Sequence, residues 1–525
     1  MKTRRCLILV LAVMLVLPMV LSSCSGDFQV FVKASSTEER NGGAATTPIR
    51  GEDAGDRLDN KGNNSGMEGD AEPDVDPDTK QDTEQEIFPE FPDEPEIPSE
   101  LPAPNYNYDF GLADFCILSA DLGKISEEWG LGESQIISSM TTGRNEAVEN
   151  QLNVVISVVT ASRSDLSDKL QKDVLSGTSS YQMISAQASQ MPDLAVKGLL
   201  SDLAGEVFDP LELYQPWWNS EFSRVARVGK VQRYAVGAAD LSVYQNAYVT
   251  FFNTRIAETF DIKDQLYDLV FQDQWTFGNM LLFSDMIRVK SEYRIYGAVS
   301  IEQTVANGFL HGFDLSTIES NGNGTHTLVE PSERMIEAAE FLRLLWGTDT
   351  GRMYQDFNSA LNLFASESSV FFVSTLDQAL TLGSDGVSYG ILPMPKYDGD
   401  QKDYRTGAAV GHSASAVPAC GTVDQMKMTG VVLSLLNSLS YKADMPQTLF
   451  FYYANSELDS RILEMISESI VWDLSEIATS YLGVSPWRVA LRNACLLIKP
   501  YDALKESYTA KLHNMLVSIQ TGAKG

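Results

Sequence analysis

The sequence predicts an α/β fold in which helices cover a largely parallel sheet. Short apolar runs with strand character alternate with stretches of helical spacing, and the breaks between them are brief. This alternation calls for crossover connections, which leave neighbouring strands parallel. With 525 residues, 44% of them hydrophobic, the chain is long enough for two domains with cores of their own. Ligands of such sheets bind at the carboxyl ends of the strands.

The predicted elements begin near Tyr106. Apolar or β-branched runs at 114–118, 153–159 and 181–186 are typical of buried strands.

Helices are predicted between and after these strands. Residues 144–151 are polar and helix-compatible, and residues 162–175 place their apolar side chains on one helical face before the break at Gly177. The run 335–346 has the same spacing, which predicts that Trp346 belongs to the core.

The N-terminus has the pattern of a secretory signal peptide over residues 1–23. Basic residues precede an apolar run at 7–20, which is short for a membrane span. The sequence 21–24, Leu-Ser-Ser-Cys, resembles a bacterial lipobox. This resemblance implies cleavage before Cys24 and attachment of lipid to its sulfur, whereas the alternative is an ordinary signal peptide with an incidental cysteine.

Residues 24–105 are predicted to form an acidic, disordered linker behind the lipidated Cys24. From 25 to 105 the segment has 21 acidic and 6 basic residues and is rich in Gly, Ser, Asn and Pro. Such a composition buries too little apolar surface to offset the entropy of ordering. A calcium loop starting at Asp74 is rejected because Thr79 and Gln85 occupy the required glycine and glutamate positions.

The charge and cysteine content exclude further classes. The net charge of −32 argues against a nucleic-acid partner. Beyond the signal and the lipid site, Cys116, Cys420 and Cys495 are widely spaced and show no CxxC pairing. We expect them to be small buried hydrophobes, with one disulfide among them left open.

Seven segments along the chain carry recognisable motifs. They are GTSSYQMISAQASQMPDLAVKGLLSDL at 177–203, QPWWN at 215–219, the hairpin at 229–237, FFN at 251–253, YDLV at 267–270 with WT at 275–276, YGILPMPKY at 389–397 and AVP at 416–418. In this order they resemble the extracellular solute-binding proteins of ABC importers, the carbohydrate-type family 1. Each match is weak alone, and the evidence is their collinearity over roughly 105–473.

The resemblance implies a two-lobed periplasmic-binding-protein-like fold of type II, with a ligand cleft between two α/β lobes. Lobe 1 would comprise 106–250 and 392–450, and lobe 2 would comprise 251–391 and 451–525. Closure of the lobes by a hinge would capture the solute. The chain departs from the family pattern at Glu367, where many members have glycine.

Candidate ligand-binding residues follow from the chemistry of sugar recognition. Aromatic rings stack on the apolar faces of sugars, while amides, carboxylates and hydroxyls bind their hydroxyl groups. The resemblance adds that the loop after the third predicted strand contacts the ligand in relatives. The predicted site consists of Gln187, Ser189, Gln190, Asp240, Tyr244, Ser374, Thr375 and Arg405.

Some of these residues have alternative roles. Asp240 and Ser374 could cap a turn or a helix, and Arg405 could form a surface ion pair. We expect Trp217 and Trp218 to pack in the core or on a lobe surface rather than to contact the ligand.

The sequence predicts a binding protein rather than an enzyme. Residues 411–415 lack the second glycine of a G-x-S-x-G elbow, and the four histidines have no metal-ligand spacing, so no cofactor or metal is expected. The predicted function is capture of a small solute, most readily a sugar or oligosaccharide, for an ABC permease by a lipid-anchored monomer on the outer face of the cell membrane. A surface glycoside hydrolase, or a two-lobed sensing or adhesion protein without transport, remains the alternative.

Overall fold

The computed structural model of the protein describes residues 107–132, 134–493 and 497–522. The predicted signal peptide (1–23), Cys24, the linker (24–105) and Cys495 lie outside these residues. The described part contains two five-stranded sheets with helices packed against them, which confirms the predicted α/β class.

The strands lie in the following positions along the chain. They are β1 (Ala113–Ala120), β2 (Val154–Ala161), β3 (Met183–Gln187), β4 (Arg227–Val228), β5 (Val231–Gln232), β6 (Tyr234–Ala235), β7 (Tyr248–Asn253), β8 (Tyr296–Ile301), β9 (Ile318–Ser320), β10 (His326–Leu328), β11 (Gly351–Tyr354), β12 (Ser369–Thr375), β13 (Tyr389–Leu392), β14 (Thr406–Gly407), β15 (Ser413–Ala416) and β16 (Ile470–Val471).

The helices occupy the stretches between the strands. They are α1 (Gly123–Glu127), α2 (Gln135–Leu152), α3 (Arg163–Ser176), α4 (Met191–Val196), α5 (Ser220–Ala226), α6 (Ser242–Gln245), α7 (Thr254–Thr259), α8 (Lys263–Phe271), α9 (Phe277–Lys290), α10 (Glu302–Gly312), α11 (Glu333–Trp346), α12 (Phe357–Ala365), α13 (Gln378–Ser384), α14 (Val423–Lys442), α15 (Met445–Phe451), α16 (Glu457–Glu468), α17 (Leu474–Ile477), α18 (Thr479–Leu482), α19 (Pro486–Arg492) and α20 (Ile498–Thr521).

The first sheet has the order β2-β1-β3-β15-β6. Strand β1 pairs in parallel with β2 and β3, whereas β15 runs antiparallel to β3 and β6. The three strands predicted from apolar runs are confirmed as β1, β2 and β3. Helix α3 is likewise confirmed, because the Ser162 side chain accepts a hydrogen bond from Asp165 N and Gly177 ends the helix at φ +66°.

The second sheet has the order β11-β8-β12-β7-β13. Strands β11, β8 and β12 are parallel, and β7 runs antiparallel to β12 and β13. The Phe251 and Phe252 side chains of β7 are fully buried, and each buried ring stabilises the fold by about 1.5–3 kcal/mol. Trp346 ends α11 and is buried, as predicted.

The two sheets take strands from both halves of the chain. Strand β15 returns from 413–416 to the first sheet, and the chain crosses to the second sheet with β7 at 248–253. The lobe boundaries near 250, 392 and 450 remain a prediction.

Candidate ligand-binding site

The carboxyl ends of β1, β2 and β3 of the first sheet and of β12 of the second sheet meet at one place, which we call the strand-end junction. Beyond β3, the Ala188 and Ser189 amides donate to the carbonyl oxygens of His412 and Val410. The loop that contains His412 and Val410 also contacts the segment before β7, because Ala409 N donates to Asn246 O at 2.8 Å.

A further backbone hydrogen bond reaches the second sheet. Leu376 N, directly after β12, donates to Ala247 O at 2.9 Å. A continuous series of backbone hydrogen bonds therefore connects the end of β3 to the end of β12. The junction comprises the side chains of Lys124, Arg163, Gln187, Asn246, Thr375 and Asp377, none of which is fully buried.

Arg163 organises the first-sheet side of the junction. It lies at the start of α3, directly after β2, and its guanidinium donates to Gln187 Oε1 and to Ser189 O, both at 3.3 Å. The Gln190 side-chain amide donates to Arg163 O at 2.9 Å. The structure thus brings together the predicted residues Gln187, Ser189 and Gln190 around an arginine that the sequence analysis did not select.

Asp377 organises the second-sheet side. Its carboxylate forms an ion pair with Lys124, which follows β1, and accepts hydrogen bonds from the Thr375 hydroxyl and the Gln378 amide. The predicted residue Thr375 therefore lies at the junction with its hydroxyl directed to Asp377. Ser374 precedes it and is buried within β12.

A second charged pair follows β8, the neighbour of β12. Arg488 of α19 donates through Nε and Nη2 to the two oxygens of Glu302, at 3.0 and 3.2 Å. The Glu302 side chain is buried and that of Arg488 is 20% exposed. A bidentate pair of this kind holds both groups in fixed orientation.

Asp240 lies in the interior of the molecule. It is fully buried, and it accepts hydrogen bonds from Gly237 N at 2.7 Å and from the Ser415 hydroxyl at 3.0 Å. Burial raises the pKa of Asp240 to about 6, an effect opposed in part by these hydrogen bonds. In this conformation its carboxylate serves the protein's own backbone and side chains.

Glu128 and Arg144 complete this buried polar cluster. Glu128 accepts hydrogen bonds from Ser242 N and the Ser413 hydroxyl, and burial followed by repulsion from Asp240 raises its pKa. The fully buried Arg144 donates to Glu128 O at 2.7 Å, and burial lowers its pKa to about 10. Its guanidinium also lies 5.1 Å from the ring centre of Trp129.

The two remaining predicted residues have other neighbours. The Tyr244 ring packs edge-on against Phe450, with centroids 5.3 Å apart, and burial raises the pKa of its hydroxyl to about 12. Arg405 forms an ion pair with Asp314 at 3.7 Å, the alternative role that its position suggested. The two residues line separate cavities.

Sequence reasoning missed the charged residues of the junction. Lys124, Arg163 and Asp377 each lie within four residues of the end of a parallel strand. Polar residues in that position were the available signal. The described residues contain no cluster of three or more His, Cys, Asp or Glu side chains arranged to hold a metal ion.

The sequence comparison decides the family. Residues 145–428, just over half of the chain, match the bacterial extracellular solute-binding proteins. The chain belongs to this family. The family expected from the collinear motifs is thereby confirmed, and none of the curated proteins matches this solute-binding protein significantly.

Solved structures share the fold of this solute-binding protein at low sequence identity. The galacto-N-biose-/lacto-N-biose I-binding protein of the ABC transporter from Bifidobacterium longum is 14% identical with a TM-score of 0.53, and the alignment covers 78% of this chain and 98% of that one. The GacH receptor of Streptomyces glaucescens GLA.O, solved unliganded and with acarbose, is 12% identical with a TM-score of 0.51, over 77% and 99% of the two chains. These likenesses confirm the two-lobed solute-binding fold.

The comparisons agree with a binding protein and give no support to a glycoside hydrolase or to a sensing or adhesion protein. The family is defined by capture of solutes outside the cytoplasm. No helix in the described stretches is long and apolar enough to cross a membrane.

Proposed function

We propose that this solute-binding protein captures a sugar or oligosaccharide at the strand-end junction and delivers it to an ABC permease. The observation that carries the proposal is the convergence of parallel strand ends from both sheets on a polar, partly exposed junction, where ligands of α/β sheets bind. Fold neighbours that bind acarbose and lacto-N-biose support a carbohydrate as the solute.

Arg163 and Gln187 form the centre of the proposed contact surface, with Ser189 and Asn246 beside them. Their guanidinium, amide and hydroxyl groups are the types that pair with buried sugar hydroxyls. Asp240, Tyr244, Ser374, Thr375, Gln190 and Arg405 remain predictions as ligand contacts.

The mechanism is closure of the two lobes on the solute without covalent chemistry. A ligand that binds the closed conformation more tightly shifts the population toward it by that difference in affinity. The permease then meets a closed, loaded monomer. No cofactor is needed for this cycle.

Lipid attachment at Cys24 is part of the proposal. It would hold the protein on the outer face of the cell membrane, with the acidic segment 25–105 as the spacer. We expect Cys24→Ala to move the protein from the detergent phase to the aqueous phase in a detergent phase-partition assay. A variant that still partitions with detergent would contradict the lipid anchor.

Calorimetric titration of the whole chain tests the solute class. We expect saturable heats with maltose, lacto-N-biose or a longer oligosaccharide, and none with amino acids or dipeptides.

Arg163→Ala should weaken sugar binding at least tenfold, because it removes a charged donor and the hydrogen bond that holds the Gln187 side chain. The matched control Arg294→Ala, an exposed arginine outside the junction, should bind as the wild type does. Absence of heat with every sugar, from a protein that unfolds cooperatively, would overturn the carbohydrate assignment.

A further inference from the structure

A cavity of about 170 Å³ lies away from the strand-end junction. It is a partly open cavity between the turn after 215, the segment that follows β6, helix α6, and the loop between α14 and α15. Tyr244, one of the predicted ligand contacts, lines this cavity, but none of the six side chains that define the junction does.

Four aromatic side chains line the cavity. Trp217 and Trp218 are 6% and 4% exposed, Tyr244 is partly buried, and Tyr441 is 48% exposed at the surface. Flat apolar rings of this kind stack against the C–H faces of a cyclic ligand.

The two indoles differ in their hydrogen bonds. Trp218 Nε1 donates to Leu211 O at 3.0 Å, whereas the buried Trp217 Nε1 has no acceptor within the described residues. A buried donor without a partner is unfavourable, and it is satisfied when a ligand brings an acceptor.

Two further polar side chains line the cavity. Asp444 lies at the N-cap position of α15 in the left-handed region, at φ +50°, and its side chain makes no capping hydrogen bond. Gln447 follows in the first turn of the same helix. Asp444 is the one charged residue among those that line the cavity in the described part of the chain.

These groups together select the chemistry of the ligand. An ammonium ion would suit the rings and Asp444, but it has no lone pair to accept from Trp217 Nε1. An anion would face the Asp444 carboxylate. A hydroxyl group both accepts from the indole and donates to the carboxylate, and a ring that carries several hydroxyls fills a cavity of this size.

We infer that this cavity is a second binding site, separate from the strand-end junction, for a neutral hydroxylated ring of monosaccharide size. The ring lies between the aromatic walls, with hydroxyl groups on Trp217 Nε1 and Asp444. This inference goes beyond the proposed function, because it holds whichever solute the junction captures. A free monosaccharide and the terminal unit of an oligosaccharide share this chemistry.

Indole N–H resonances of the whole chain, labelled with nitrogen-15, test the inference. Trp217→Phe identifies the Trp217 resonance by its loss. D-glucose, D-galactose and myo-inositol are the probes, choline is the cationic comparison, and maltose and lactose test for a terminal sugar unit. We expect at least one of the three rings to shift the Trp217 resonance in a saturable manner. A parallel shift with a disaccharide would mean that a terminal unit is accepted.

Variants separate the cavity from the junction. Tyr441→Ala removes a half-exposed wall and should weaken the binding at least tenfold, and Asp444→Asn should weaken it severalfold. The matched control Tyr293→Ala, an exposed tyrosine elsewhere, should leave the affinity within twofold. The shift should persist in Arg163→Ala, in which the junction is impaired.

Three results would overturn the inference. These are the absence of a saturable shift with every hydroxylated ring, a shift with choline alone, and a shift that disappears in Arg163→Ala. In the last case the Trp217 resonance would be reporting on the junction. If Arg163→Ala leaves the affinity for every sugar unchanged while the Trp217 resonance still responds, the proposed function is contradicted and the second site stands.

Discussion

Asp240, one of the predicted ligand contacts, is fully buried and forms its hydrogen bonds within the protein in this conformation. Its carboxyl lies beside that of Glu128 in the interior, and burial raises the pKa of both groups. Because the folded state then binds protons more tightly than the unfolded chain, these groups stabilise the fold at low pH. For Asp240 this contribution is fully present below about pH 4 and is lost as the pH rises through about 6.

The first prediction concerns this pH dependence. We expect Asp240→Asn to reduce the fall in the free energy of unfolding between pH 4 and pH 7 by about 2 kcal/mol, because one buried group no longer ionises. Urea denaturation of the whole chain at a series of pH values measures it. In the exposed control Asp264→Asn, the free energy of unfolding should change with pH as it does in the wild type. If the two variants showed the same pH dependence, the contribution assigned to Asp240 would be contradicted.

Glu367 illustrates a position where the family pattern anticipated the backbone. Many family members have glycine there, and the structure places Glu367 at φ +56°, in the left-handed region. Its carboxylate forms an exposed ion pair with Arg255 at 2.8 Å, which contributes little. The strain of a side chain in this conformation outweighs that pair.

The second prediction follows from this backbone conformation. Glu367→Gly should raise the free energy of unfolding by about 0.5–1 kcal/mol, since glycine adopts positive φ freely. Thermal denaturation provides the measurement. Ser366→Gly, one residue earlier at φ −80°, is the control and should not stabilise the protein. A destabilised Glu367→Gly variant would show that the ion pair dominates.

Sequence patterns located the local elements well because these depend on neighbouring residues. The apolar runs predicted β1 to β3, and Gly177 marked the end of α3. The patterns could not locate the charged junction, since Lys124 and Asp377 are 253 positions apart. The patterns also could not predict which polar side chains are buried. The residues around Asp240 in the sequence do not indicate whether its carboxylate is exposed to solvent or lies beside Glu128.

At the scale of elements, two short hairpins contact each other at a place separate from the strands that connect the two sheets. The hairpin β9–β10 contacts the hairpin β4–β5, which lies beside the first sheet. His326 Nε2 donates to Arg227 O at 2.6 Å, and its Nδ1 accepts from the Ser320 hydroxyl at 2.8 Å. Gly229 N donates to Gly324 O at 2.9 Å.

The third prediction tests this contact. Gly324 has φ +78°, and a Cβ atom there would lie 2.4 Å from both the nitrogen and the oxygen of Gly229. Gly324→Ala should therefore separate the two hairpins and lower the free energy of unfolding by about 2 kcal/mol. Urea denaturation measures the change. Gly322→Ala, in the same turn with open space around it, should leave the free energy of unfolding nearly unchanged. Similar free energies of unfolding for the two variants would show that the contact between the hairpins does not stabilise the protein.

On the scale of the whole molecule, the Lys124–Asp377 ion pair connects the two sheets. Lys124 follows β1 of the first sheet, and Asp377 follows β12 of the second. The side chains are 36% and 13% exposed, so solvent screens the pair only in part. An attraction between the strand ends favours the conformation in which they lie together, and under the proposed function this is the conformation that captures the solute.

The fourth prediction is that loss of this pair weakens ligand binding without unfolding the protein. A partly exposed ion pair contributes up to about 1 kcal/mol, which corresponds to a two- to fivefold increase in Kd for Asp377→Asn and for Lys124→Met. The double variant should resemble either single one, because both remove the same interaction.

Calorimetric titration with the sugar identified for the junction measures the affinities, and high salt should reduce the difference from the wild type. Arg255→Met breaks an ion pair with Glu367 beside the second sheet alone and should leave Kd unchanged. Unaltered affinity in both Lys124 and Asp377 variants would mean that the sheets are held together by the crossing strands and hairpins, and that closure does not depend on this pair.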